Sequence, residues 1–416
     1  MALGSGLWLF SQGDPSPGGR LQDFPLLHAR LALLLFLGSP LLWLAGRSKE
    51  QNVQSIDPHP LQSSRAFHPF PRSIGLLWLG FGLTLSHLPW VTGLGQLFLS
   101  LPFVLAMFPL LRAFLGKRGE STRGPEESLI SKQAPRVKIS FQLAALFPLA
   151  AAPWLPLDNP QVALWIVWCG HLTYIIPLIL EQISYTPGGR TMGDGMTKTL
   201  AALTALAWIV STCAVLTGLN PEHPLSLSHT LPPWPWWRLA GVPWFLALIT
   251  LAMGSGLWRM VKKQGLTSLS LAMLLGVACA RLAALLLIIR PLTGLETALH
   301  LLTMGALTIG IWRLLPGIYG AILPPAPGKS PQAVEPIPES ENPLSFGSDT
   351  GVTHQLSDRF LRWLIWGWLG VVLLKTGGSL GWLESSRHAW IALLGGGILL
   401  LWAGRMVRVG ISFRMR

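Results

Sequence analysis

Apolar residues fall into eleven runs, each long enough to form a helix across a bilayer, and polar segments separate them at regular intervals. The runs are approximately 24–44, 73–89, 91–111, 139–157, 161–183, 199–219, 239–258, 266–289, 295–315, 360–374 and 388–403. No stretch shows the every-second-residue alternation of barrel strands, so the predicted class is all-α, a polytopic transmembrane helical bundle. Only Pro89, Trp90 and a Gly-containing turn separate the second and third runs, which predicts a tight helical hairpin. The last two runs are short and rich in Gly and Trp.

Charge orients this pattern. Segments 47–72, 112–138, 184–198, 259–265, 323–362 and 404–416 hold 23 of the 31 Lys and Arg residues. The alternate loops and the N-terminal tail hold Arg20, Arg238, Arg290, Lys375 and Arg387, and the runs themselves hold Arg30, Arg281 and Arg313. Every second loop is basic without a break in phase, which puts the N-terminus outside and the C-terminus in the cytoplasm. The expected division is an outer tail over 1–23, a bundle of about nine helices over 24–323, a flexible cytoplasmic linker over 324–358, and a helix pair with a basic tail over 359–416. The segment 117–138 reads as a second flexible connector. The Trp- and Pro-rich stretch 223–238 reads as an aromatic belt at the headgroup level.

Composition agrees, with 50% hydrophobic and 12% charged residues. A chain with so few charges has lipid as its main partner. Its net charge of +13 is spread over many loops, not gathered into a nucleic-acid-binding stripe. Cys169, Cys213 and Cys279 all lie within apolar runs and have neither zinc nor disulfide spacing. Phosphate-binding, dinucleotide, HExxH, GxSxG and CxxCH motifs are absent.

Candidate chemistry therefore rests on polar side chains inside the runs, where each is costly unless paired or wet. The fifth run places His171, Tyr174 and Glu181 on one helical face, and Pro177 frees the carbonyl of Thr173 beside His171. His171 is either a cofactor ligand or a donor to a neighbouring helix backbone, and Glu181 is a site residue or a snorkelling one. The ninth run places His300, Met304 and Thr308 at four-residue steps. His28, His87 and His388 lie near outer helix ends, as interfacial residues do. Arg281 is the deepest cation, able to clamp a haem propionate or an anionic substrate, or else to pair with Glu296.

The run from His300 through Thr303, Gly305 and Ala306, followed by Arg313, Pro316 and Gly320, resembles the motif helices of the NnrS family, whose helices are arranged like those of haem-copper oxidases. Arg65-Ala66-Phe67-His68-Pro69-Phe70 before the second run is similar to that family's Phe-x-Pro-Phe segment. The resemblance implies haem and copper binding and a link to nitric-oxide or respiratory metabolism, with His300 as a candidate ligand. The family's His-x-His-Glu-Met block is absent, so copper has no assigned residues.

Three functions follow as expectations. A redox-linked haemoprotein would ligate haem b through His171 and His300, with Arg281 and Tyr174 in its pocket. A transporter or permease would use the Pro- and Gly-interrupted helices as moving parts. A structural or assembly subunit would serve a larger membrane or respiratory complex.

Overall fold

With little water to receive them, the backbone groups of such a chain must bond to one another. The computed structural model describes residues 24–42, 69–86, 88–115, 129–177, 179, 192–217, 234–264, 268–290, 294–310, 358–380 and 388–414, and among these every regular element is helical. In chain order they are α1 (Phe24–Arg30), α2 (Pro69–Thr84), α3 (Pro89–Leu115), α4 (Leu129–Ala151), α5 (Pro160–Trp165), α6 (Asp194–Leu216), α7 (Trp234–Gly254), α8 (Leu257–Gln264), α9 (Ser268–Ile289), α10 (Gly294–His300), α11 (Asp358–Ser379) and α12 (His388–Arg414). Wider π turns continue three of them: π1 (Leu31–Phe36) after α1, π2 (Ile166–Leu172) after α5 and π3 (Leu301–Leu307) after α10.

Each predicted apolar run overlaps one of these helices. Among the described residues five helices are long and apolar enough to cross a membrane: Pro89–Arg112, Asp194–Leu216, Trp236–Gly254, Ser270–Ile289 and Phe360–Gly378. Their outward faces carry large apolar side chains such as Phe108, Ile209, Met253 and Leu373.

Several boundaries differ from expectation. Helix α4 begins at Leu129, inside the segment read as a flexible connector. Helices α11 and α12 have 22 and 27 residues, so the last two are not short. The aromatic-belt stretch ends in helix: α7 starts at Trp234, and Trp237 is fully buried in the bundle. Helix α11 packs on α9, α10 and π3, which joins the terminal pair to the preceding bundle.

The predicted hairpin is present. Thr92 Oγ1 donates to Ser86 O at 3.0 Å across the turn between α2 and α3. A Cβ on Gly80 would lie 2.8 Å from Gly95 O, and one on Gly95 would lie 2.7 Å from Thr84 N. The two backbones therefore approach as closely as small residues permit. Elsewhere tryptophans lace helices together through hydroxyl groups: Trp154 to Ser100, Trp165 to Thr212 and Trp244 to Ser211, at 2.8, 3.0 and 3.1 Å.

Gly95→Ala should lower stability by about 1–3 kcal/mol, because backbone cannot yield to the added methyl. Gly82→Ala, on the same hairpin with nothing within 4 Å of its Cβ, should be neutral. Thermal unfolding of both variants in detergent tests this, and equal melting temperatures would refute the close approach.

Candidate functional site

A π turn bonds each N–H to the carbonyl five residues back, which leaves a carbonyl without its usual helical donor. In this bundle side chains add donors to carbonyls in and beside these turns, two of which also accept a backbone N–H. Thr173 Oγ1 donates to Trp168 O at 2.9 Å after π2, and Thr308 Oγ1 donates to Thr303 O at 2.6 Å after π3. Two further donors come from other helices. Trp368 Nε1, on α11, donates to Met304 O at 2.6 Å. His171 Nε2 lies 2.9 Å from Leu33 O in π1. Beside this clasp, the buried Arg30 donates from Nη2 to Pro153 O at 3.3 Å.

His171 is thus a helix-to-helix tie. It is 1% exposed, and its Nδ1 lies 3.3 Å from Ile166 O of its own helix. Both ring nitrogens face backbone oxygens, so neither is open to an iron. Tyr174 is fully buried, and its hydroxyl has no partner among the described residues. His300 Nδ1 lies 2.9 Å from Glu296 O and 3.9 Å from Glu296 Oε1. Arg281 sets its guanidinium 5.7 Å from the centre of the Phe245 ring.

Segments π2 and π3 touch, and α9 lies on π3, so the elements bearing His171, His300 and Arg281 are neighbours. Their side chains do not form one ligand set. No group of three His, Cys, Asp or Glu able to hold a metal occurs among the described residues. The arrangement does not fit a bis-histidine haem, because His171 would first have to leave Leu33 O. Glu181, His87 and Arg313 lie outside the described residues, as do Arg65–His68 of the Phe-x-Pro-Phe resemblance.

The seam between α10–π3 and α11 gathers more chemistry. Trp368 donates to Met304 O, and Val372 Cγ1 lies 3.6 Å from where a Gly305 Cβ would stand. Trp368 lies at Met304 while Lys375, seven residues on, interacts with Glu296, eight residues back, so the two segments run antiparallel. One turn beyond Val372, α11 carries Lys375 and Thr376, and α10 carries Glu296, Thr297 and His300. Lys375 is buried at 9% exposure and feels the Glu296 carboxylate. Thr297 and Thr376 are buried, with hydroxyls unmatched among the described residues. The apolar pattern placed Lys375 in a loop, just beyond the run 360–374 and before Gly377 and Gly378. Helix α11 instead continues through them, which brings the Lys375 ammonium within reach of the Glu296 carboxylate, itself 3.9 Å from the His300 imidazole.

Replacing His171 with Phe keeps its bulk but strands Leu33 O, at a cost of about 1–3 kcal/mol. The expected result is a lower unfolding temperature for His171→Phe than for His171→Gln, which retains a donor. Identical temperatures would show that the clasp contributes nothing. No family model, no curated protein and no solved structure matches this chain, so its own geometry carries the functional argument.

Proposed function

We propose that the chain is a multi-pass membrane transporter of eleven crossings, with its N-terminus outside, in which Glu296, His300 and Lys375 carry a proton during the transport cycle. The observation that carries this reading is Lys375: a cation buried within a helix long and apolar enough to cross a membrane, close enough to Glu296 to feel its charge. Ionisable groups in such surroundings are expensive and mark ion pathways and proton relays. The imidazole of His300, 3.9 Å from Glu296 Oε1, supplies a group that takes up and releases protons near neutral pH.

The surrounding helices suit a moving device. Prolines 102 and 109 interrupt α3, Pro243 interrupts α7, and π turns lie within three further helices. Such interruptions are where helices bend. One of them, π3, directly continues the helix that bears Glu296 and His300. A haem-linked role is the weaker reading, since both nitrogens of His171 are engaged.

Pyranine-loaded proteoliposomes under a valinomycin-set potential should acidify with the wild-type protein. Lys375→Met and Glu296→Gln should each reduce the initial rate at least about tenfold, a loss equivalent to roughly 1.4 kcal/mol of barrier. His171→Gln, whose partner is Leu33 O in π1, should retain most of the rate. Acidification that persists in both seam variants would sink the proposal. A pyridine-haemochrome spectrum showing stoichiometric haem in the purified protein would return the redox-linked reading to first place.

A further inference from the structure

Helix α8 joins the ends of two helices that are each long and apolar enough to cross a membrane, α7 and α9. Ser255 N still donates to Leu251 O, but Gly256 then takes a left-handed backbone, φ 69°, that ends α7. Arg259 N bonds back to Gly256 O at 2.8 Å, so α8 starts as a separate helix. It packs on both α7 and α9.

The eight residues of α8 divide into two sides. Leu257 is buried and Val261, four positions on, is half-buried, which marks the side against the bundle. Trp258, Arg259 and Lys262 are exposed, the indole at 72%. Spacings of three and four residues from Lys262 set all three on one helical face. Three cations and no acid occur in the helix. Neither Arg259 nor Lys262 forms an ion pair among the described residues.

The height of this face follows from α6. A Cβ on Gly254 would lie 2.7 Å from Met192 Cε and 3.0 Å from Met196 Cε, so the start of α6 packs on the end of α7. Asp194 and Lys198 form an exposed ion pair there, at 2.7 Å, beside the first turns of an apolar helix. That level has the character of a bilayer edge, where indoles settle among headgroups and cations meet lipid phosphates. The bundle already holds the chain in the membrane, so the exposed groups of α8 select which lipid lies beside it.

We propose that the exposed face of α8 binds the headgroup of an anionic phospholipid, with its phosphate between Arg259 and Lys262 and the Trp258 ring alongside. The site needs a membrane-crossing bundle, and it stands or falls separately from proton movement at Lys375. In the test, phosphatidylglycerol or phosphatidylcholine is titrated into the full-length protein in mild detergent, and bound lipid is counted by native mass spectrometry. Saturable binding of phosphatidylglycerol, at least about tenfold tighter than that of phosphatidylcholine, is expected. Arg259→Gln with Lys262→Gln should remove that preference without changing the unfolding temperature, and Arg259→Lys with Lys262→Arg should retain it. Arg238→Gln with Arg290→Gln removes equal charge from exposed positions at the opposite ends of α7 and α9, and should also retain it. Equal affinity for the two lipids would overturn the site, as would a preference that survives in the α8 glutamine variant or falls equally in both glutamine variants.

Discussion

A backbone carbonyl that loses its helical partner inside an apolar bundle needs another donor, and water is not at hand to supply one. Among the described residues three helices contain π turns, and side chains donate to carbonyls in or beside each of them, at Leu33, Trp168, Thr303 and Met304. The donors are His171 across to π1, Trp368 across to π3, and the local hydroxyls of Thr173 and Thr308. Two of these four bonds join helices distant in sequence. They fix which faces meet and in what register, so the placement of the other polar groups follows from them.

The α10–α11 register shows this dependence. Trp368 anchors α11 to Met304, Val372 settles against Gly305, and Gly305 can accept Cys279 from α9 only because it has no side chain: a Cβ there would stand 2.8 Å from the Cys279 Sγ. With three helices held at that level, the next turn of α11 brings Lys375 toward Glu296. Packing of small residues and a hydrogen bond to a backbone carbonyl thus position these charges. Charge is used differently along this seam and on α8. The seam sets a carboxylate near its buried cation, whereas α8 leaves Arg259 and Lys262 exposed. That difference suits a proton relay in one case and a lipid headgroup in the other.

Tryptophan is used differently from what position along the chain suggests. Twenty are present, and a membrane chain with many indoles invites a belt at the headgroup level. Trp165, Trp168, Trp237 and Trp244 instead fill the interior. Two of them donate to hydroxyls on α6, and Trp368 donates to backbone. Depth along a helix is legible in sequence, but the direction of a side chain around a helix with almost no polar face is not. When every side of a helix is apolar, periodicity carries no record of which side meets protein and which meets lipid.

The apolar runs by themselves determined that the chain folds as helices, approximately where each lies, and that α2 and α3 turn back on one another. Those properties follow from local composition and from the backbone's need to bond within its own segment. The sequence also marked His171, Tyr174, Arg281 and His300 as unusual, because a polar group in an apolar run is conspicuous whatever surrounds it. Only the tertiary structure decided what each one does. It tied His171 to Leu33, 138 positions away, laid Arg281 on an aromatic ring, and extended α11 through two glycines so that Lys375 became an interior charge. A site depends on which helices touch and at what height, and contacts between distant segments leave no periodic trace in the chain that forms them.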